Sequence, residues 1–150
     1  MIPIQETKTA LLLPPQFVDD GNFVGNTYLD TQGWGHVRFI MAAGTVDAAI
    51  GSTAEGTAPL VEECDTTDGS YTDVTSAALA DAIGATEDDS LFAIDVDLTK
   101  SHKRYMEVQV PHAGDGTTGC NLAIIAILSK PEGNGPVTAA QQGLIEHIKA

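Results

Sequence analysis

A chain of 150 residues has room for about one domain with its own core, and 43% hydrophobic residues at a mean hydropathy of +0.01 is a globular composition. Twenty-one Asp and Glu against seven Lys and Arg give a net charge of −14, which repels nucleic acid and anionic lipid and so argues against both as partners. No apolar run approaches a membrane span, and Ala10 to Leu13, closed by Pro14 and Pro15, is too short for the apolar part of an export signal, so neither is expected.

The charge is uneven. No Lys or Arg lies between Arg38 and Lys100, a stretch holding thirteen Asp and Glu, while Lys100, Lys103 and Arg104 fall together. One acidic face with a small basic spot is expected, serving either solubility or a partner of opposite sign.

Residues 1–30 read as an extended N-terminal arm. Thr9 to Leu13 suits an edge strand, and Pro14-Pro15 keeps the backbone extended after it. Residues 31–130 read as the body. His36 to Met41 is a strand with Val37, Phe39 and Met41 on one face and His36, Arg38 and Ile40 on the other. Asp47 to Ser52 suggests another strand. Pro59 to Cys64 and Tyr71 to Val74 form a hairpin around the Asp65–Ser70 turn. Thr75 to Ile83 reads as a short helix ended by Gly84. Ser90 to Leu98 is a strand with Phe92, Ile94, Val96 and Leu98 on one face, and Tyr105 to Val110 is another. Leu122 to Leu128 is nearly all apolar, which suits a central strand buried on both faces. Residues 131–150 read as a C-terminal extension, with a helix from Thr138 to Lys149 whose apolar stripe is Leu144, Ile145 and Ile148. Many short strands without alternating long helices predict an all-β chain, an antiparallel β-sandwich of jelly-roll or Ig-like type, flanked by the arm and the short helix.

No catalytic, cofactor-binding or metal residue is expected. His36, His102, His112 and His147 lack metal spacing to one another or to a cysteine. Cys120 with His112 is the one nucleophile–base pair to weigh, but Cys120 heads an apolar strand and reads as a buried hydrophobe. Cys64 and Cys120 are expected as reduced thiols. Asp95 and Asp97 share a strand face, as an acid–base pair or a cation site would require, but a plain solvated face is the simpler account of them. The Asp65–Ser70 loop lacks calcium-loop spacing, and the glycines around Trp34 and in Gly114–Gly119 lack the nucleotide-binding patterns. Trp34 reads as a core or rim aromatic, with an interface anchor or sugar platform as the alternatives.

One resemblance enters here. The hairpin Val61-Glu62-Glu63-Cys64-Asp65 with Asp68-Gly69-Ser70-Tyr71-Thr72-Asp73-Val74, the strand Lys103-Arg104-Tyr105-Met106-Glu107-Val108 and the apolar Ala123–Ser129 run carry it. Together the segment from His36 to Ser129 resembles the capsid decoration, or cement, proteins of tailed bacteriophages. That resemblance implies a β-sandwich that self-associates as a dimer or trimer and binds the major capsid protein. It would lie on the virion exterior after synthesis in the host cytoplasm. Many bound copies turn modest affinity into avidity, and extended arms add strands to neighbouring sheets. The contact residues this suggests are Ile4, Leu11 and Leu13 in the arm, Trp34 in the body, and Leu144, Ile145 and Ile148 at the C-terminus. Two readings of the arm stay open: it reaches a partner, and deleting Met1 to Pro15 then spares the fold, or it folds back on its own domain. A ligand-binding sandwich with Trp34, Tyr28 and Tyr71 as a carbohydrate or adsorption platform is the alternative function, and an enzyme using Asp95 and Asp97 is a third.

Overall fold

The computed structural model describes residues 6–19, 23–24, 28–51, 58–111, 116–133 and 140–145. These form nine strands: β1 (Lys8–Val18), β2 (Phe23–Val24), β3 (Leu29–Asp30), β4 (Trp34–Val46), β5 (Leu60–Cys64), β6 (Thr72–Ala78), β7 (Ser90–Asp97), β8 (Tyr105–Val110) and β9 (Cys120–Pro131). All described pairings are antiparallel. Sheet A runs β1-β9-β4-β7, and sheet B runs β2-β8-β5-β6 with β3 also on β8.

The strand order distinguishes between the two sandwich types. Phe23 pairs with Val110 and Leu29 with Met106, so β2 and β3 follow one another along the same side of β8 and count as one position in the sheet. Counted so, the chain changes sheet at every connection except the β5–β6 hairpin, and the first strand lies beside the last. This is jelly-roll order. An Ig-like sandwich keeps several consecutive strands paired within one sheet.

Period-two alternation builds the core. Val37, Phe39 and Met41 from β4 meet Leu122, Ile124, Ala126 and Leu128 from β9, all essentially without solvent exposure. Sheet B contributes Val61, Met106, Val108 and Val110 from the other side. A buried aliphatic or aromatic side chain contributes about 1.5–3 kcal/mol, and this set forms one contiguous cluster.

The arm takes the second of its two readings from Lys8 to Val18. It pairs along β9 from Lys8↔Leu128 to Val18↔Cys120, and two register shifts at Leu11/Leu13 and Leu13/Gln16 accommodate the proline pair. The first shift turns Leu12 and Leu13 both inward, where they are fully buried. At the end of β1 the chain closes tightly on β9: a Cβ on Gly119 would collide with the Val18 carbonyl. Gly119→Ala is therefore expected to cost about 1–3 kcal/mol, read as a lower melting midpoint by circular dichroism.

Three local expectations are corrected. Thr75 to Ile83 is not a helix: β6 continues to Ala78, and Ile83 makes an isolated bridge to Ile50. Val74 and Ala77 are both buried, three residues apart, which imitates a helical period. The cause is an irregularity at Ser76, whose φ of 63° re-aims the strand, while the pairing with β5 shifts between Leu60↔Ala78 and Glu62↔Asp73. Of the Asp47–Ser52 strand only the Ile50 bridge forms; Ser52 lies outside the described residues. The C-terminal helix is not seen. Residues 140–145 form a turn and bend, with Gly143 at φ 75° and the Gln142 carbonyl accepting the Thr9 N–H at 2.6 Å; the rest of Thr138–Lys149 lies outside the described residues. This backbone bond to β1 competes with helical bonding, and the left-handed glycine ends any helical turn.

Candidate interaction faces

An antiparallel sheet with one face on a core ordinarily shows a polar outer face. Sheet A departs from this. Register places Leu11 beside Ile125, Ile125 beside Ile40 and Ile40 beside Ala93, an apolar row crossing all four strands. A second row joins Ala123, Ala42 and Leu91. Leu11 is 54% exposed at one margin and Leu91 74% at the other, with the isoleucines half-buried between them. Beside the second row Pro15, Gln16, Ala42, Gly44, Asn121 and Ala123 line a shallow depression of about 400 Å³. A contiguous exposed apolar surface of this kind marks an interaction site more often than a solvated face.

One side of the apolar band is framed by charge. Arg38 Nε and Nη2 donate to the two Asp95 carboxylate oxygens at 2.9 Å each, and His36 Nε2 stands 3.0 Å from Asp95 Oδ1. The Arg38 hydrogen bonds hold the Asp95 carboxyl below its ordinary value. Asp97 is lowered too, chiefly by the Thr99 hydroxyl at 2.6 Å and then its N–H. Both carboxylates stay ionised and engaged, which suits neither a general acid nor a shared-proton pair.

His36 Nδ1 also lies 3.1 Å from Ser129 Oγ, completing a Ser–His–Asp chain. Acyl transfer needs oxyanion donors and a water-excluding pocket as well. Ser129 stands on the open side of sheet A, and neither it nor His36 lines a depression among the described residues, although Asp95 borders one formed with β6 and the Lys100–His102 loop. The contacts from His36 and Arg38 hold the Asp95 carboxylate in place. Cys120 is buried, with its thiol pushed up to about 11 by burial and then by Asp88, far from a reactive thiolate; His112 lies outside the described residues. Cys64 is also buried and unpaired. Among the described residues no group of three or more His, Cys, Asp or Glu is placed to hold a metal ion.

Sheet B presents the opposite character. Glu107, Glu62 and Asp73 lie side by side across β8, β5 and β6. Burial first, then Asp73 and Glu107, raises the Glu62 carboxyl, and burial alone raises Glu107. Beside them are three tyrosines. Tyr28 and Tyr105 meet edge to face at 5.4 Å, Arg104 covers the Tyr105 ring at 5.0 Å, and Arg104 clamps Asp30 at 2.7 and 2.9 Å. Tyr71 Oη is buried without a hydrogen-bond partner among the described residues, and burial pushes it up to about 12. Glu63 Oε2 takes the His102 ring at 2.9 Å and the Lys103 N–H at 3.1 Å, tying the β7–β8 loop to β5.

These shifts set a stability profile. A raised carboxyl favours the fold below its unfolded value and loses that contribution as pH rises through the folded value. Glu62 and Glu107 therefore weaken the fold on going from mildly acidic to neutral pH. The lowered carboxyls Asp30 and Asp95 act oppositely and lose their contribution as pH falls below the ordinary value of 3.8. The melting midpoint is expected to peak between these ranges. Glu62→Gln is expected to raise it at pH 7, by at most about 1 kcal/mol because water screens the row, and to change nothing below pH ~4, where Glu62 is already protonated.

The expected contact residues are dispersed. Leu11 and Ile125's neighbours share the sheet A face, but Leu13 is wholly buried. Trp34 packs partly against the core at the start of β4, while Tyr28 and Tyr71 immediately precede β3 and β6 of the other sheet. Leu144 is half-buried and Ile145 fully exposed, next to the turn on β1; Ile4 and Ile148 lie outside the described residues. Ile40, Ile125 and Ile127 on the same outer face were not among the expected contact residues. Their signal was a strand, Leu122–Leu128, apolar on both faces while only one face meets the core.

No family model matches the chain, and no curated protein matches it. Among solved structures, a family two carbohydrate esterase from Cellvibrio japonicus aligns with 89% of this chain at 15% identity and a TM-score of 0.25. The chain spans 36% of that protein's length, and a likeness at this level carries no conclusion about fold or activity.

Proposed function

We propose that this chain is a non-enzymatic assembly protein of a tailed-phage head, lying on the outer capsid surface and bridging major capsid subunits. The apolar outer face of sheet A carries this reading. It supplies a broad contact surface on a chain of net charge −14, and the acidic face of sheet B turned to solvent keeps decorated shells apart. The resemblance of the His36–Ser129 segment to capsid decoration proteins supplies the partner. The test is add-back: purified chain should co-sediment with expanded shells lacking it and raise their resistance to heat. No sedimentation with shells at any salt concentration would reject the proposal.

The tyrosine cluster on sheet B favours a second reading, a carbohydrate or adsorption module. Tyr28, Tyr71 and Tyr105 with neighbouring carboxylates are the groups such a site uses. Glycan binding lost in Tyr28→Ala and retained in Trp34→Ala would support it; a glycan array with no binding would end it.

A further inference from the structure

Sheet edges expose unpaired backbone groups, and proteins ordinarily blunt them. Three of the four edges here are blunted. β1 carries Pro14 and Pro15, two register shifts and the Gln142 contact at Thr9. The β2/β3 edge is two fragments of two residues each. β6 is broken by Ser76 and its register shift. The edge of β7 is different: eight residues, no proline, and unbroken register with β4 from His36↔Asp97 to Ala43↔Ser90.

The direction of its free groups follows from two bonds. Leu98 N–H donates to the Gly35 carbonyl, and the Thr9 N–H points away from β9 to Gln142. Followed through β9 and β4, both place the even residues of β7 in bonded pairs with β4. The N–H and C=O of Leu91, Ala93 and Asp95 therefore face outward, and all three residues are exposed.

We infer that β7 pairs with β7 of a second copy, antiparallel about a two-fold axis at Ala93, joining two A sheets into one. The centre of the strand, Leu91 to Asp95, is self-complementary in this register. Leu91 faces Asp95 of the other copy twice and Ala93 faces Ala93, giving about six backbone hydrogen bonds. On the inner side Phe92 meets Ile94 in both directions, covering the half-buried Phe92 ring. On the outer side Leu91 lies beside the aliphatic stem of the Arg38 held by Asp95, and the carboxylates that come opposite each other, Asp97 and Asp89, lie at the two ends of the ladder. Ala93 at the axis leaves room for close approach. The two apolar outer faces then become one continuous surface. This inference stands on the edge geometry alone and does not depend on the capsid reading.

Sedimentation equilibrium of the full chain tests it. A dimer is expected, strengthening with added salt as the −14 charges are screened. Ala93→Pro removes only an outward N–H and is expected to keep the fold while weakening dimerisation by roughly 100-fold or more. Leu91→Lys, a charge at an edge position, should do the same if Ala93→Pro fails to fold. In Ala93→Cys, a short bis-maleimide should join the two copies, since Cys64 and Cys120 are buried. A wild-type chain monomeric up to ~1 mM, or a trimer that Leu91→Lys leaves intact, would overturn the inference.

Discussion

Deletion of residues 1–15 is expected to unfold this domain. The deleted stretch carries most of β1, and with it Leu12 and Leu13, both fully buried beneath sheets A and B. Loss of one buried leucine side chain costs about 2–5 kcal/mol, and two such losses match the whole stability of an ordinary domain, about 5–15 kcal/mol. The deletion also strips the pairing partner from β9 between Leu128 and Ile124, leaving a long apolar edge exposed to other chains. Leu13→Ala alone should lower the denaturation free energy by about 2–5 kcal/mol. Urea unfolding followed by circular dichroism measures both. A cooperative transition at the wild-type midpoint in the deleted chain would mean that β1 is dispensable and free to serve a partner.

Ile40→Asp combined with Ile125→Asp is expected to abolish shell binding and leave a folded protein. The two side chains are direct cross-strand neighbours at the centre of the outer apolar row. Central, well-packed contacts of an interface cost about 2 kcal/mol or more each on removal. Buried carboxylates add a desolvation penalty on top. Together the two changes should weaken binding by roughly 1000-fold. Neither side chain points into the sandwich, so the cost to folding is strand propensity, about 1 kcal/mol or less per site, plus the repulsion of two carboxylates set directly opposite each other, of similar size. Ile40→Thr with Ile125→Thr keeps the β-branch and should give an intermediate loss. Add-back sedimentation and a thermal melt, run on the same preparations, separate lost binding from lost folding.

How much of this was legible beforehand differs from element to element. The strands of β4, β7, β8 and the β5–β6 hairpin follow from alternation, because one face of each meets the core and the other meets water. Jelly-roll order did not follow, since alternation says which face is inside and nothing about which strand lies alongside. Thr9 to Leu13 forms the edge strand that its pattern suggests, but the continuation of β1 through Pro14-Pro15 to Val18 did not follow: at a sheet edge a proline is tolerated, and bulges absorb the pair. β6 imitated a helix because its bend at Ser76 brings Val74 and Ala77 to the same side. The outer face of sheet A was only partly legible. Leu11 was singled out and Ile40 was placed on the face away from Val37, Phe39 and Met41, but Ile125 and Ile127 were read within a strand buried on both faces, and only cross-strand register assembles these residues into one surface.

Thiol labelling on the two faces of the sandwich measures directly which of them meets a partner. Ala123→Cys places a thiol on the outer face of sheet A, and Glu107→Cys places one in the acidic row of sheet B, with both native cysteines buried. Each variant is labelled with a maleimide, free and after addition of shells lacking the protein. The expected result is strong protection of Cys at position 123 on shell binding and unchanged labelling at position 107. Protection at 107 with free labelling at 123 would contradict docking through sheet A.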